Sequence, residues 1–151
     1  MRTSLPLIGL LFVFAGCEQV EPGASGTITL DPTVNRAEFD TLRITAVEDR
    51  FGDDTPLINP TGPGRRISTE IDLDAVDFPH DYTVGGGLGD ASPTQSWYVV
   101  ARLVNADDGE GTETSPIGTA DFIVPSDSCG GDYCGIAMDV DFEIEPRVAP
   151  E

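Results

Sequence analysis

The sequence predicts an all-β fold, an antiparallel sandwich of about seven strands over residues 26–145. Three observations lead to this fold class. Short segments of alternating apolar and polar side chains recur along the chain, and clusters of Gly, Pro and Asp separate them. No long stretch has the 3.6-residue apolar period of an amphipathic helix. Because successive side chains of a strand point to opposite faces, each sheet can bury one face against the other.

The first four strands are short and bounded by turn residues. Residues 27–30 end at Asp31-Pro32, and residues 41–48 place three apolar side chains on one face. Residues 51–66 hold three prolines and three glycines, and this composition predicts a long loop. Alternation resumes over residues 66–73, and a short strand over residues 81–84 follows Phe78-Pro79.

The last three predicted strands cover residues 96–105, 117–124 and 136–144. The first of them is apolar on both faces, which is typical of a central strand covered on both sides. In residues 136–144, apolar side chains alternate with acidic ones, so the apolar face is expected in the core and the acids in water. The expected core residues of this strand are Ile136, Met138, Val140, Phe142 and Ile144. Residues 146–151 are predicted to be a disordered tail.

The chain is strongly acidic. It has 27 acidic residues and 8 basic ones, all arginine, so its formal net charge is −19 at pH 7. A nucleic-acid partner is excluded, because binding a phosphate backbone requires cationic side chains. The excess of acid indicates either adaptation to high salt or affinity for divalent cations.

The first seventeen residues are typical of an export signal. Arg2 precedes an apolar run over residues 5–14, which is shorter than the roughly 20 apolar residues of a membrane-spanning helix. Small residues then stand directly before a cysteine, in Ala15-Gly16-Cys17. This pattern resembles the lipoprotein signal (lipobox) of bacteria, although Phe14 is larger than the residue usual there. An ordinary secreted protein with a coincidental cysteine is the alternative.

The lipoprotein resemblance implies a cellular location. Residues 1–16 would be the signal peptide, Cys17 would be the lipidated residue, and residues 17–25 would be a tether to the membrane. The modification supplies at least two acyl chains, palmitate among them, and two chains are what durable anchoring requires. Glu18, where inner-membrane lipoproteins tend to have aspartate, favours the outer membrane in the cell envelope of a Gram-negative bacterium.

The other two cysteines, Cys129 and Cys134, flank a short glycine-containing loop. A disulfide is their natural use in an oxidising compartment. A zinc site would need two further ligands of the right kind, and His80 is the chain's single histidine.

Two segments carry a family resemblance. The run Phe78-Pro79-His80-Asp81-Tyr82-Thr83-Val84, followed by Trp97-Tyr98-Val99-Val100-Ala101-Arg102-Leu103-Val104-Asn105, resembles the transthyretin-like or carboxypeptidase-regulatory-like β-sandwich. An immunoglobulin-like sandwich would have nearly the same pattern. The resemblance implies an accessory module and brings no catalytic residues.

One acidic loop is a candidate cation site. Calcium binds several oxygen ligands around a tight turn, and the loop over residues 105–113 is rich in them. A solvated acidic hairpin is the alternative, because the pattern lacks the glycine and the terminal glutamate of a helix-loop-helix calcium motif. The candidate ligands are Asn105, Asp107, Asp108, Glu110 and Glu113.

The remaining candidates are expected to be structural. Trp97 and Tyr98 could stack on a sugar if exposed, but a strand apolar on both faces predicts their burial. His80 has no nucleophile motif nearby, and the glycine-rich residues 85–89 lack the lysine of a phosphate-binding loop. The chain is therefore expected to be no enzyme and to need no cofactor.

The predicted function is a non-catalytic structural or interaction module, anchored to a membrane through its N-terminal lipid. Its partner would be an envelope protein or a glycan. The alternative is a β-sandwich module that binds calcium or carbohydrate.

Overall fold

The computed structural model describes residues 22–48, 66–86, 96–108, 114–123 and 135–147. These residues form two four-stranded sheets, so the predicted all-β sandwich is confirmed. The strands are β1 (Gly23–Leu30), β2 (Thr41–Glu48), β3 (Arg66–Asp72), β4 (His80–Gly85), β5 (Ser96–Val104), β6 (Ile117–Ile123), β7 (Ile136–Ala137) and β8 (Phe142–Ile144). Among the described residues, one-turn 3₁₀ helices over Arg36–Glu38, Leu73–Ala75 and Ala106–Asp108 follow strands β1, β3 and β5.

The two sheets differ in how their strands pair. In the β5 sheet the order is β3-β2-β5-β6, and every neighbouring pair is antiparallel. In the β1 sheet, β1 pairs with β4 on one side and with both β7 and β8 on the other. The pairings of β1 with β7 and β8 are parallel, which the antiparallel prediction did not include.

The hydrophobic core lies between the sheets. The faces that alternation predicts to be apolar meet there, and the largest fully buried side chain is Trp97 of β5. Trp97 packs against Phe122 of β6 with the ring centroids 6.3 Å apart. Other fully buried members are Ile28, Leu42, Ile44, Val84, Val99, Leu103 and Ile144.

The prediction that the strand over residues 96–105 is central is confirmed for β5. This strand lies between β2 and β6, and both of its faces are buried. Its core face includes Trp97, while Tyr98 and Val100 on the other face pack with Val47 of β2 in a second apolar cluster.

The prediction of one continuous strand over residues 136–144 is wrong. The chain pairs with β1 as β7, leaves the ladder, and pairs again as β8. Asp139 between them has φ 58°, in the left-handed region, which interrupts the extended backbone between the two pairings. Met138 is 61% exposed, so the prediction that it faces the core is also wrong.

The backbone of β1 holds the interrupted segment in place. The Val140 N–H donates to the carbonyl of Ser25 at 3.0 Å, and Asp141 Oδ1 accepts the N–H of Thr27 at 2.7 Å. The Asp141 carboxylate therefore replaces a backbone carbonyl in the ladder. Gly26 lies against Val140, where a Cβ would come within 2.6 Å of the Val140 carbonyl carbon.

The folded part begins earlier than predicted. β1 starts at Gly23, and Pro22 is already buried, so the predicted tether over residues 17–25 is too long by its last residues. The Gly23 N–H donates to the Gly135 carbonyl at 2.6 Å, which ties the start of β1 to the segment before β7.

The sandwich has two ends, which we name by one residue each. At the Gly23 end lie the start of β1 and the end of β4, which are paired through Gly23 and Gly85. At the Asp40 end, two backbone hydrogen bonds between Ile117 and Glu145, both 3.0 Å, join β6 to the residue after β8. The antiparallel register of the β5 sheet puts the start of β2 and the end of β5 at the Asp40 end as well.

Candidate functional site

The Asp40 end of the sandwich holds the predicted cation loop. Asn105 follows β5, and Asp107 is exposed on the 3₁₀ helix Ala106–Asp108. Glu110 and Glu113 lie outside the described residues. The structure therefore places part of the predicted set, Asn105, Asp107 and Asp108, at one end of the β5 sheet.

Asp40 organises this end, although no sequence pattern points to it. Its carbonyl accepts the N–H of Leu73 at 2.7 Å, and its own N–H donates to Val104 at 3.3 Å. Its Oδ1 accepts the N–H of Ala106 at 2.9 Å and the hydroxyl of Thr41 at 2.7 Å. One carboxylate thus holds the turn after β5 against the start of β2. Only the pairing of β2 with β5 brings residue 40 to residue 106, so no local motif could have identified it.

A cleft of about 310 Å³ opens beside Asp40. Its acidic lining residues are bound to donors of the protein itself. Glu70 Oε1 accepts from Arg43 at 2.6 Å (Nη2) and 2.9 Å (Nε), and Asp72 Oδ1 accepts the N–H of Asp74 at 3.0 Å. The cleft is lined by Asp40, Thr41, Glu70, Ile71 and Asp72.

This geometry suits turn stabilisation better than cation binding. Each of the three cleft carboxylates has a hydrogen-bond donor from the protein, whereas a calcium site needs several oxygens free to converge on one point. Within the described ranges, no group of three His, Cys, Asp or Glu side chains is arranged to hold a metal ion.

A carboxylate outside the cleft also stabilises a turn at this end. Asp31 Oδ1 accepts the N–H of Thr33 at 2.7 Å and the hydroxyl of Thr33 at 2.5 Å. The hydroxyl bond first, and then the backbone bond, hold the pKa of Asp31 below its ordinary value. Asp31 thereby closes the turn that follows β1.

Arg36 connects this turn to its neighbours. Its Nη2 donates to the Leu73 carbonyl, and its guanidinium lies 5.9 Å from the ring centroid of Phe78. The polar side chains described at the Asp40 end therefore bind mainly backbone groups of the adjoining turns.

The aromatic side chains proposed as a sugar platform are buried. Trp97 is 0% exposed and Tyr98 is 8% exposed, so the prediction of burial is confirmed. Neither ring presents a face on which a sugar could stack. The Trp97 Nε1 finds no hydrogen-bond acceptor among the described residues.

His80 begins β4, opposite Ile28 of β1, and is half-buried. Its neighbour Asp81 accepts the hydroxyl of Thr27 at 3.1 Å, across the same pair of strands. Of the glycine-rich stretch, Gly85 and Gly86 are described and have positive φ values of 75° and 78°.

The two segments that resemble the transthyretin-like family lie in different sheets. Residues 78–84 contribute β4 to the β1 sheet, and residues 97–105 contribute most of β5 to the other sheet. Cys17, Cys129 and Cys134 lie outside the described residues.

The fold and site define an acidic two-sheet β-sandwich. Comparison of the chain with protein-family models, with curated proteins and with solved structures found no match. The part of the chain that the structure describes includes no helix long and apolar enough to span a bilayer.

Proposed function

We propose that this protein is a membrane-anchored envelope lipoprotein whose β-sandwich acts as a non-catalytic structural or interaction module. Acylated Cys17 is the anchor, and the outer membrane is its destination. One observation carries the proposal: β1 begins six residues after Cys17, so the lipoprotein pattern leads almost directly into the first strand.

The polar chemistry of the Asp40 end supports the module role. Asp31, Asp40 and Asp72 bind backbone N–H groups of nearby turns, and Glu70 binds Arg43. Hydrogen bonds of this kind rigidify the connections between strands. A surface with rigid turns loses little conformational entropy when a partner binds, which favours recognition.

Metabolic labelling tests the anchor. The full chain is expressed in a Gram-negative host with radioactive palmitate, beside Cys17→Ala and the matched control Cys129→Ala. We expect label and membrane fractionation for the parent and for Cys129→Ala, and an unlabelled, unprocessed Cys17→Ala. Label on Cys17→Ala, or none on the parent, would contradict the proposal.

Separation of the inner and outer membranes tests the destination. The parent should fractionate with the outer membrane, and Glu18→Asp should move towards the inner membrane in an enteric host. Recovery of the parent in the inner-membrane fraction would overturn the outer-membrane assignment while leaving the anchor intact.

A further inference from the structure

We infer that the sandwich stands end-on at the membrane, with its Gly23 end facing the lipid surface and its Asp40 end pointing away. This inference rests on the proposed lipid anchor at Cys17. It adds which surface of the domain meets the headgroups and which one remains free for partners.

The domain holds its N-terminal segment at the start of β1. Gly23 pairs with Gly85 of β4 and with Ile136 of β7, and its N–H donates to Gly135. Pro22 is buried. Because β1 lies between two neighbours, releasing its first residues would break ladders on both sides. The domain therefore fixes the chain from Pro22 onwards, and the tether to Cys17 leaves the domain at the Gly23 end.

The reach of the tether limits how the domain can lie at the membrane. Five Cα–Cα steps join Cys17 to Pro22, and a fully extended chain covers at most about 18 Å over that number. An eight-residue strand such as β2 is about 26 Å long. The tether is shorter than the sandwich. The Asp40 end therefore cannot turn to the headgroups while Cys17 stays at the membrane.

Exposed apolar side chains lie near the Gly23 end. Among the described residues the two large ones are Ile123, 69% exposed, and Met138, 61% exposed. Ile123 pairs with Ser96 at the Gly23 end, and Met138 follows β7, which pairs with the start of β1. Both lie in the half of the sandwich nearest the anchor. Apolar side chains gain by contact with the headgroup and acyl boundary, so their position favours this end as the lipid-facing one.

Fluorescence quenching on vesicles tests the orientation. The full lipidated chain, in a Cys129→Ser/Cys134→Ser background, receives a thiol-reactive fluorophore at Ile123→Cys or at the exposed Ala106→Cys. Vesicles of phosphatidylcholine contain a lipid with a nitroxide on its headgroup. We expect the probe at residue 123 to be quenched several-fold more than the probe at residue 106. Insertion after Glu18 of a Gly/Ser linker longer than the sandwich should make the two equal.

Equal quenching without the linker would mean that the domain lies on its side, and stronger quenching at residue 106 would mean that it is inverted. Either result overturns the inference while leaving the anchor in place. Mass spectrometry of the same sample reports acylation of Cys17, and its absence would overturn the proposed function and this inference together.

Discussion

Strand β5 and the C-terminal segment over residues 136–144 have equally clear sequence patterns and different structures. β5 is continuous over nine residues and pairs along its length with β2 and β6. The C-terminal segment divides into β7 and β8, which pair with β1 over two and three residues. Alternation indicates which side chains prefer the core. It does not indicate whether the backbone between them stays in a ladder.

The difference has a local physical cause. β5 has two antiparallel partners in register, so its backbone N–H and C=O groups find hydrogen-bond partners in both neighbours. The C-terminal segment runs parallel to β1, and the Asp141 carboxylate supplies one acceptor that a regular ladder would take from the backbone. Asp139 adopts a left-handed conformation that Asp tolerates better than most residues.

The largest expected effect is at Trp97, near the start of β5. Trp97→Ala removes the largest fully buried side chain, so we expect a loss of about 3–5 kcal/mol in the free energy of unfolding. Urea unfolding followed by circular dichroism measures it. The control, Ile123→Ala, changes a 69% exposed side chain and should stay within about 0.5 kcal/mol. Similar losses in both variants would contradict the burial of Trp97.

The second prediction separates the two interpretations of the C-terminal segment. A continuous strand would make Met138 and Ile144 equivalent core residues. In the structure Ile144 is 0% exposed and Met138 is 61% exposed, so Ile144→Ala should cost about 2–5 kcal/mol. Met138→Ala should change the unfolding free energy by no more than about 0.5 kcal/mol. Equal costs in the same urea titration would restore the continuous strand.

The third prediction tests the close approach of β1 to the segment between β7 and β8. A Cβ on Gly26 would fall against the backbone of Val140, which cannot rotate away as a side chain can. We expect Gly26→Ala to lower the unfolding free energy by about 1–3 kcal/mol, as overpacking does. Thermal unfolding measures the change, with Ser25→Ala as the neighbouring control. A neutral Gly26→Ala would show that the Val140 segment does not lie against β1.

The smallest expected effect comes from the loss of a single hydrogen bond to the segment between β7 and β8. The Tyr82 hydroxyl donates to the Val140 carbonyl at 2.8 Å in a buried position, so Tyr82→Phe should cost about 1 kcal/mol at neutral pH. Burial first, and then the charge of Asp141, raise the pKa of Tyr82 above its ordinary value.

The stabilisation that Tyr82 contributes should decrease at alkaline pH. Because the pKa of Tyr82 is higher in the folded chain than in the unfolded one, its stabilisation is complete below about pH 10 and falls as the pH rises further. Unfolding titrations from pH 8 to 11 should show a smaller alkaline loss for Tyr82→Phe than for the parent. An identical pH profile would mean that Tyr82 is not buried against Val140.

Much of the fold could be predicted because the information was local. The bounds predicted for the second strand, residues 41–48, are those of β2. β5 ends one residue before its predicted end, and β6 covers the described part of its predicted span, residues 117–123. Period-2 alternation and Gly, Pro and Asp clusters are properties of neighbouring residues. They determine strand location whatever the strands later pair with.

The candidate site was less predictable because its geometry depends on residues distant in sequence. Asn105 and Asp107 could be identified because they lie in an acidic loop of the sequence. Asp40, which holds the adjoining turn, is 66 residues from Ala106. The start of the domain was misplaced for the same reason. Gly23 and Ala24 have no strand pattern of their own, and they become strand residues by pairing with β4 and β7.

The sequence by itself determined the all-β class, the position of most strands, the burial of Trp97 and the expectation of an anchor at Cys17. Tertiary structure alone decided the parallel pairing of β1 with β7 and β8, the exposure of Met138 and the gathering of turns around Asp40. The physical reason is that alternation reports the preference of a side chain for water or core, which is local. Which backbone groups share a hydrogen bond depends on the whole set of strands that compete for them.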